Sequence, residues 1–210
     1  MSQNPSVKQA LDTLSSRDED IKRAFAAYGY PKDRFLSQSY ETLAKIIIGQ
    51  QISRSAASSI WERLASAGWV TSEMVAQLQT SDLQDKGVSL RKAEYLIGVA
   101  DAIVTGALVL EAFRAMPGDE VHKQLVALRG VGNWTAYNYR LFALGDLDAW
   151  AANDLALQEG MKRLKRLNHR PDEAQMEQLA RPWAPYRGVG ALFLWHLYAI
   201  EVRNATPSAL

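Results

Sequence analysis

Leu96, Val99, Ala100 and Ile103 follow one another at intervals of three and four residues behind Ser89. That spacing sets all four on one face of a helix, with Ser89 placed as its N-cap. The same rhythm returns along the chain. Ile21, Phe25 and Tyr28 predict a helix that ends around Gly29 and Pro31, and Leu43, Ile46 and Ile47 predict another, interrupted by Gly49-Gln50-Gln51-Ile52-Ser53. Ile60, Leu64 and Ala67 continue the pattern up to Gly68. Val121, Leu125 and Leu128 make a short helix, Trp134 to Leu144 a longer one ended by Gly145, and further helices should start near Asp154 and near Arg187. No segment gives a convincing alternation of apolar and polar residues, the pattern a half-buried strand needs. The expected architecture is all-α.

Composition then narrows what such a chain can do. Its 210 residues suffice for one sizeable domain or two small lobes sharing a core. With 48% apolar and 22% charged residues it reads as globular and not disordered. The formal charge is only +1, so any contact with nucleic acid has to come from a local patch. The absence of cysteine excludes disulfides, thiol catalysis, iron–sulfur clusters and Cys-based zinc sites. The N-terminal MSQNPSVKQALDTLSSRDED has no apolar signal region, and no run is long enough to span a bilayer, so a soluble, cytoplasmic protein with no membrane partner is expected. GVGNWT lacks the third glycine of a dinucleotide fingerprint, and neither GxxxxGK[ST] nor GxSxG occurs. His122, His169 and His196 are too widely spaced to form a metal-binding pair, which leaves each as a surface or core histidine.

One string, RGVG, occurs twice: in LRGVGNWTAY (128–137) and in YRGVGALFLW (186–195). The first has a predicted helix on either side. Helix, tight Gly-Val-Gly turn, helix is the layout of a helix-hairpin-helix. Its glycines permit positive φ and close approach, and the outgoing helix presents free N–H groups and the positive end of its dipole to an anion such as a DNA phosphate. The second follows Pro182-Trp183-Ala184-Pro185, and two prolines within four residues oppose a lead-in helix. There Gly188, Ala191 and Trp195 fall at helical spacing, so small residues should admit a close-packed neighbour. Taken alone, a Gly-Val-Gly turn is equally an ordinary interhelical connection.

The residues around the first turn are more specific. LRGVGNWTA, followed by Asp154 in WAANDLAL 22 residues after Gly132, resembles the helix-hairpin-helix DNA glycosylase superfamily, and within it the 3-methyladenine DNA glycosylase II branch. IIIGQQIS (46–53), GVSLRKAEYL (87–96) and PWAPYRGVGALFLW (182–195) agree with it in the same order, so that the resemblance covers most of residues 40–200. It implies a two-lobed all-α fold with a DNA-reading cleft between the lobes. Residues 38–146 would form the hairpin lobe; residues 1–37 and 147–210 would form the other, which carries the catalytic aspartate. It further implies a monomer acting on double-stranded DNA that contains damaged bases. The reaction would be hydrolysis of alkylated purines, 3-methyladenine and 7-methylguanine, to leave an abasic site, with no required cofactor.

The resemblance assigns roles residue by residue. Asp154 would be the catalytic carboxylate that stabilises an oxocarbenium-like transition state; from position alone it reads as a helix N-cap, and the two roles are compatible. Bifunctional relatives carry a lysine where Trp134 stands, and Lys86, Lys92 and Lys123 do not fall there, which implies hydrolysis by water and no lyase step. Trp134 and Trp195 match aromatic or pocket-lining positions for the flipped base, and Tyr137, Trp183 and Tyr186 are further candidates, although most tryptophans are core residues. Gln51 falls where the family inserts a side chain into the gap left by the base; its plainer role is a polar cap between two helices. A phosphate would be held by backbone N–H groups of the turn Gly130-Val131-Gly132 and of Trp134, with the Thr135 hydroxyl nearby. Hairpins of this family often hold a monovalent cation, Na+ or K+, on backbone carbonyls that here fall on Val126, Leu128 and Val131. The basic run KRLKRLNHR (162–170) is the best local patch and is equally a solvated helix face.

Two positions depart from the pattern. Asn138 stands where some alkylpurine members have an aromatic, and Ala152 replaces a proline often found two residues before the aspartate. The rival from another class is a non-catalytic helix-hairpin-helix DNA lesion binder, which would need neither Asp154 nor an aromatic pocket. A uracil or mismatch glycosylase on the same fold would need hydrogen-bond donors for a neutral leaving group that the sequence does not locate.

Overall fold

A computed structural model describes residues 6–32 and 34–201. Positions 1–5, 33 and 202–210 of the expected second lobe therefore lie outside the described residues. Twelve α-helices and no strand are found among the residues described. In chain order they are α1 (Val7–Arg17), α2 (Glu19–Tyr28), α3 (Tyr40–Gly49), α4 (Arg54–Ser66), α5 (Ser72–Val75), α6 (Thr80–Asp85) and α7 (Leu90–Val104). There follow α8 (Gly118–Val126), α9 (Asn133–Leu144), α10 (Leu155–Leu164), α11 (Glu173–Ala180) and α12 (Arg187–Glu201), with short 3₁₀ turns at Leu110–Ala115 and Arg181–Trp183.

The helices begin where short polar side chains can take up their first N–H groups. Ser39, Ser53 and Ser89 each accept from the backbone three residues on, capping α3, α4 and α7. The chain up to Arg34 together with the chain from Asp146 forms one compact unit, and Phe35–Gly145 forms another.

In the second of these, Leu96, Val99 and Ala100 of the face predicted for α7 are buried and Ile103 is partly buried, and they share a core with Leu43, Ile47, Ile48, Leu64, Leu83, Phe113, Leu125 and Tyr139. Each Leu, Ile, Val or Phe side chain removed from water here contributes roughly 1.5–3 kcal/mol. This core fixes α3, α7, α8 and α9 as one body, so the turns between them have rigid ends.

The other unit packs α1, α2, α10, α11 and α12 around Leu11, Leu14, Ile21, Leu157, Met161, Met176, Trp183, Phe193 and Leu197, all buried. Helices α10 and α12 approach closely because Gly160 has no side chain: a Cβ there would lie 2.8 Å from the Leu194 carbonyl oxygen. Asp18 ties three elements together. It caps α2 through the Asp20 and Ile21 N–H groups, and accepts from Lys165 Nζ at 2.8 and 2.7 Å and from the Trp183 indole at 2.7 Å. Burial opposes its ionisation, but these bonds outweigh burial and hold the carboxyl below its ordinary value.

Candidate functional site

The first RGVG is a helix-hairpin-helix. Helix α8 stops at Val126, the chain turns through Leu128–Gly132, and α9 begins at Asn133. Gly130 is required twice over: its φ is +89°, and a Cβ would meet the Tyr95 ring at 2.1 Å. Gly132 differs. It is the N-cap of α9, has φ −90°, and a Cβ would meet nothing within 4 Å. A glycine cap offers no side-chain acceptor to the first N–H groups of α9, and a side chain at Gly132 itself would point into open space.

Not every expected phosphate ligand is placed to serve. The Val131 side chain is buried, and its N–H donates to the Leu128 carbonyl at 3.1 Å, closing the turn. The Thr135 hydroxyl is also committed: the residue is 2% exposed and Oγ1 accepts from Gln50 Nε2 at 2.8 Å. Both belong to the scaffold of the hairpin. Val126 closes α8, and Leu128 and Val131 lie in the turn after it, at the negative end of that helix dipole; the Leu128 carbonyl there also accepts the Val131 N–H. Neutral oxygens of this kind suit an alkali cation, and among the described residues no cluster of His, Asp and Glu would hold a different metal.

Gln51 stands at the tip of the turn between α3 and α4. It has φ +58°, in the left-handed region, and both it and Ile52 are exposed. Tyr137 packs within the hairpin, its ring 4.5 Å from that of His122 and 5.6 Å from the Arg140 guanidinium, while His122 Nε2 meets Asn133 Oδ1 at 3.0 Å. Trp134, the second residue of α9, is half-buried. Asn138 is 5% exposed, and its amide nitrogen donates to the Trp134 carbonyl at 2.7 Å.

In the other unit, Asp154 is the N-cap of α10. Its Oδ1 accepts the Leu157 N–H at 2.8 Å and the indole N–H of Trp195, on α12, at 3.3 Å. The close approach at Gly160 brings that indole to the carboxylate. The buried residues Ala149, Trp150, Ala151 and Ala152 lead up to it. In place of a proline ring, a side chain steadies the Ala152 peptide: buried Gln158 donates to the Ala152 carbonyl at 3.1 Å. Sequence reasoning missed Gln158, although its place four residues after a candidate N-cap could have marked it as able to reach back. Leu155, beside the aspartate, is 63% exposed, unusual for leucine at a helix start.

The second RGVG is the first turn of α12 and makes no hairpin. Asp148 binds Arg187 three times, at its N–H (3.0 Å), Nε (3.0 Å) and Nη2 (2.6 Å), and so caps the helix. Gly190 lies against Trp183, whose ring would be 2.4 Å from an added Cβ. Trp183 itself is 1% exposed, with its indole N–H on Asp18 and its ring edge-on to Trp150 at 5.9 Å. It is a core residue and not a surface for a base. Tyr186, half-buried, uses its N–H on the Trp183 carbonyl at the approach to α12. Within the basic run 162–170, Lys165 pairs with Asp18 and Asp20, and Arg163 with Glu159 and Glu201, so these two are tied to the fold of their own unit.

An all-α chain with a glycine-capped hairpin helix in one unit and an aspartate held by an indole N–H in the other has the parts of a base-excising DNA repair protein. The model for the HhH-GPD superfamily of base excision DNA repair proteins matches residues 44–185, and the chain belongs to that family. It is similar to YfjP of Bacillus subtilis, with 33% identity over 165 residues, or 74% of this chain, and it spans 58% of that protein's length. It is similar to DNA-3-methyladenine glycosylase 1 of Schizosaccharomyces pombe, with 28% identity over 198 residues, covering 90% of this chain and 87% of the relative. Among solved structures it resembles the S. pombe 3-methyladenine DNA glycosylase Mag1 in complex with abasic DNA, with TM-score 0.82, 25% identity and coverage of 96% of this chain and 100% of that one. Among the described residues no helix is long and apolar enough to cross a membrane.

Proposed function

We propose that the chain is a monofunctional DNA glycosylase of base excision repair. It takes an alkylated purine such as 3-methyladenine or 7-methylguanine out of duplex DNA and hydrolyses its glycosidic bond, leaving an abasic site. The observation that carries this reading is Asp154, a carboxylate fixed at a helix start against the Trp195 indole in a chain whose relatives are named as 3-methyladenine glycosylases.

The chemistry follows from the leaving group. An N3- or N7-alkylated purine is cationic, so when it takes the bonding pair of the glycosidic bond it departs neutral and needs little general-acid help. Positive charge is then left on the sugar, where a fixed carboxylate stabilises it. Water adds to the sugar carbon and gives up a proton, and Asp154 orients that water. One carboxylate suffices. Trp195, beside Asp154, supplies a flat surface for the base, with stacking worth roughly 1–3 kcal/mol per base, increased by the attraction of a cationic base to indole. The backbone N–H groups at the start of α9 hold a phosphate, and Gln51 fills the gap in the stack. Position 134 carries no amine, so no Schiff base forms and borohydride traps no covalent complex with DNA.

Release of free bases from methylated duplex DNA by the wild type and by Asp154→Asn tests this. Asparagine caps a helix about as well as aspartate, so the fold is kept while the negative charge goes. Base release should fall by roughly 10²–10³ with DNA binding retained. Undiminished release by the variant overturns the role of Asp154. Tight DNA binding with no release by either protein points to a non-catalytic lesion binder.

A further inference from the structure

Gln51 holds a left-handed backbone, φ +58°, that a residue with a side chain keeps only where its surroundings impose it. Those surroundings are specific. On one side Lys92, on α7, donates from Nζ to the carbonyls of Ile48 at 2.7 Å and Gln50 at 2.6 Å. On the other side the Gln50 amide crosses to the hairpin, donating to the Gly130 carbonyl at 3.0 Å and Thr135 Oγ1 at 2.8 Å. Tyr95, three residues along α7 from Lys92, packs its ring against Gly130. A single helix therefore braces both the turn that presents Gln51 and Ile52 and the hairpin turn, and Gln50 bolts the two together.

We propose that Lys92 and Gln50 are positioning residues for opening the duplex. They hold Gln51, with Ile52 beside it, as a preformed wedge at a fixed offset from the phosphate held at the start of α9. Neither touches the reacting atoms. A loose turn would have to be ordered at each insertion, and a displacement of about 1 Å at a site of this kind costs on the order of 100-fold in rate. The proposal rests on the glycosylase reading above.

A wedge matters only where there is a stack to open. The test compares release of 7-methylguanine from duplex and from single-stranded DNA by the wild type, Lys92→Met, Lys92→Arg, Gln50→Leu and Gln51→Ala. For Lys92→Met, Gln50→Leu and Gln51→Ala, the duplex-to-single-strand rate ratio should fall roughly 100-fold. Lys92→Arg, which keeps a cation with several N–H donors, should recover most of it. Loss of a merely structural bond would lower both rates together, and that result, or an unchanged ratio in an active Lys92→Met or Gln50→Leu protein, overturns the proposal. If Lys92→Met does not fold at the assay temperature, the ratio for Gln50→Leu decides. A wild type that releases no base from either DNA refutes the glycosylase reading, and the wedge with it.

Discussion

The two glycines of the hairpin should fail in opposite ways when each is replaced by alanine. At Gly130 the φ of +89° costs an L-residue about 1–2 kcal/mol. The added Cβ, 2.1 Å from the Tyr95 ring, must also displace an aromatic side chain, which costs about 1–3 kcal/mol more. Gly130→Ala should therefore destabilise the protein by about 3 kcal/mol and lower Tm by roughly 6–12 °C at this chain length. At Gly132 φ is −90° and a Cβ meets nothing within 4 Å, so the cost to the fold is only about 0.5 kcal/mol. A methyl group there instead stands in the space through which a phosphate would reach the first N–H groups of α9. Losing a charge-assisted hydrogen bond of about 1.5–3 kcal/mol weakens DNA binding by roughly 10- to 100-fold. Differential scanning calorimetry and fluorescence anisotropy on a labelled duplex at one fixed salt concentration measure both effects. The reasoning is refuted if Gly132→Ala binds DNA as tightly as the wild type, or if Gly130→Ala melts at the wild-type temperature.

Three further outcomes follow from the other unit. Asp18 is held below its ordinary pKa, so its contribution is present above the unfolded-state value and is lost as pH falls through the folded-state value; Asp18→Asn should cost about 2 kcal/mol in urea unfolding at pH 7, and the gap should shrink by about pH 3. Gly160→Ala forces a Cβ to 2.8 Å from the Leu194 carbonyl, which should cost about 1–3 kcal/mol and draw the Trp195 indole off Asp154; a variant that melts and releases base like the wild type would show that α10 and α12 have room to spare. Trp195→Phe keeps an aromatic face but removes the N–H at 3.3 Å from Asp154, so base release should slow about fivefold while Trp195→Ala, which also loses stacking, should slow it further.

What the chain determines on its own is everything that depends on near neighbours. The three- and four-residue apolar spacing sets the helices, Ser89 and Asp154 cap theirs, and proline at 182 and 185 separates the two RGVG strings into one hairpin and one packed helix start. Even α1, which the apolar spacing does not predict, carries a local start signal in the capping box of Ser6 and Gln9. Helix α11 has only Met176 and Ala180 buried, too sparse a stripe to stand out. What only the tertiary structure decided is which side chains are spent on holding the fold. Thr135 loses its hydroxyl to Gln50, 85 residues away, and Trp183 gives its N–H to Asp18, 165 residues away. Lys92 and Gln50 acquire their purpose from the turns they join. A helix is written in the local periodicity of its own residues. A burial or a hydrogen bond is fixed by whatever packs against that residue from far along the chain, and no local pattern records it.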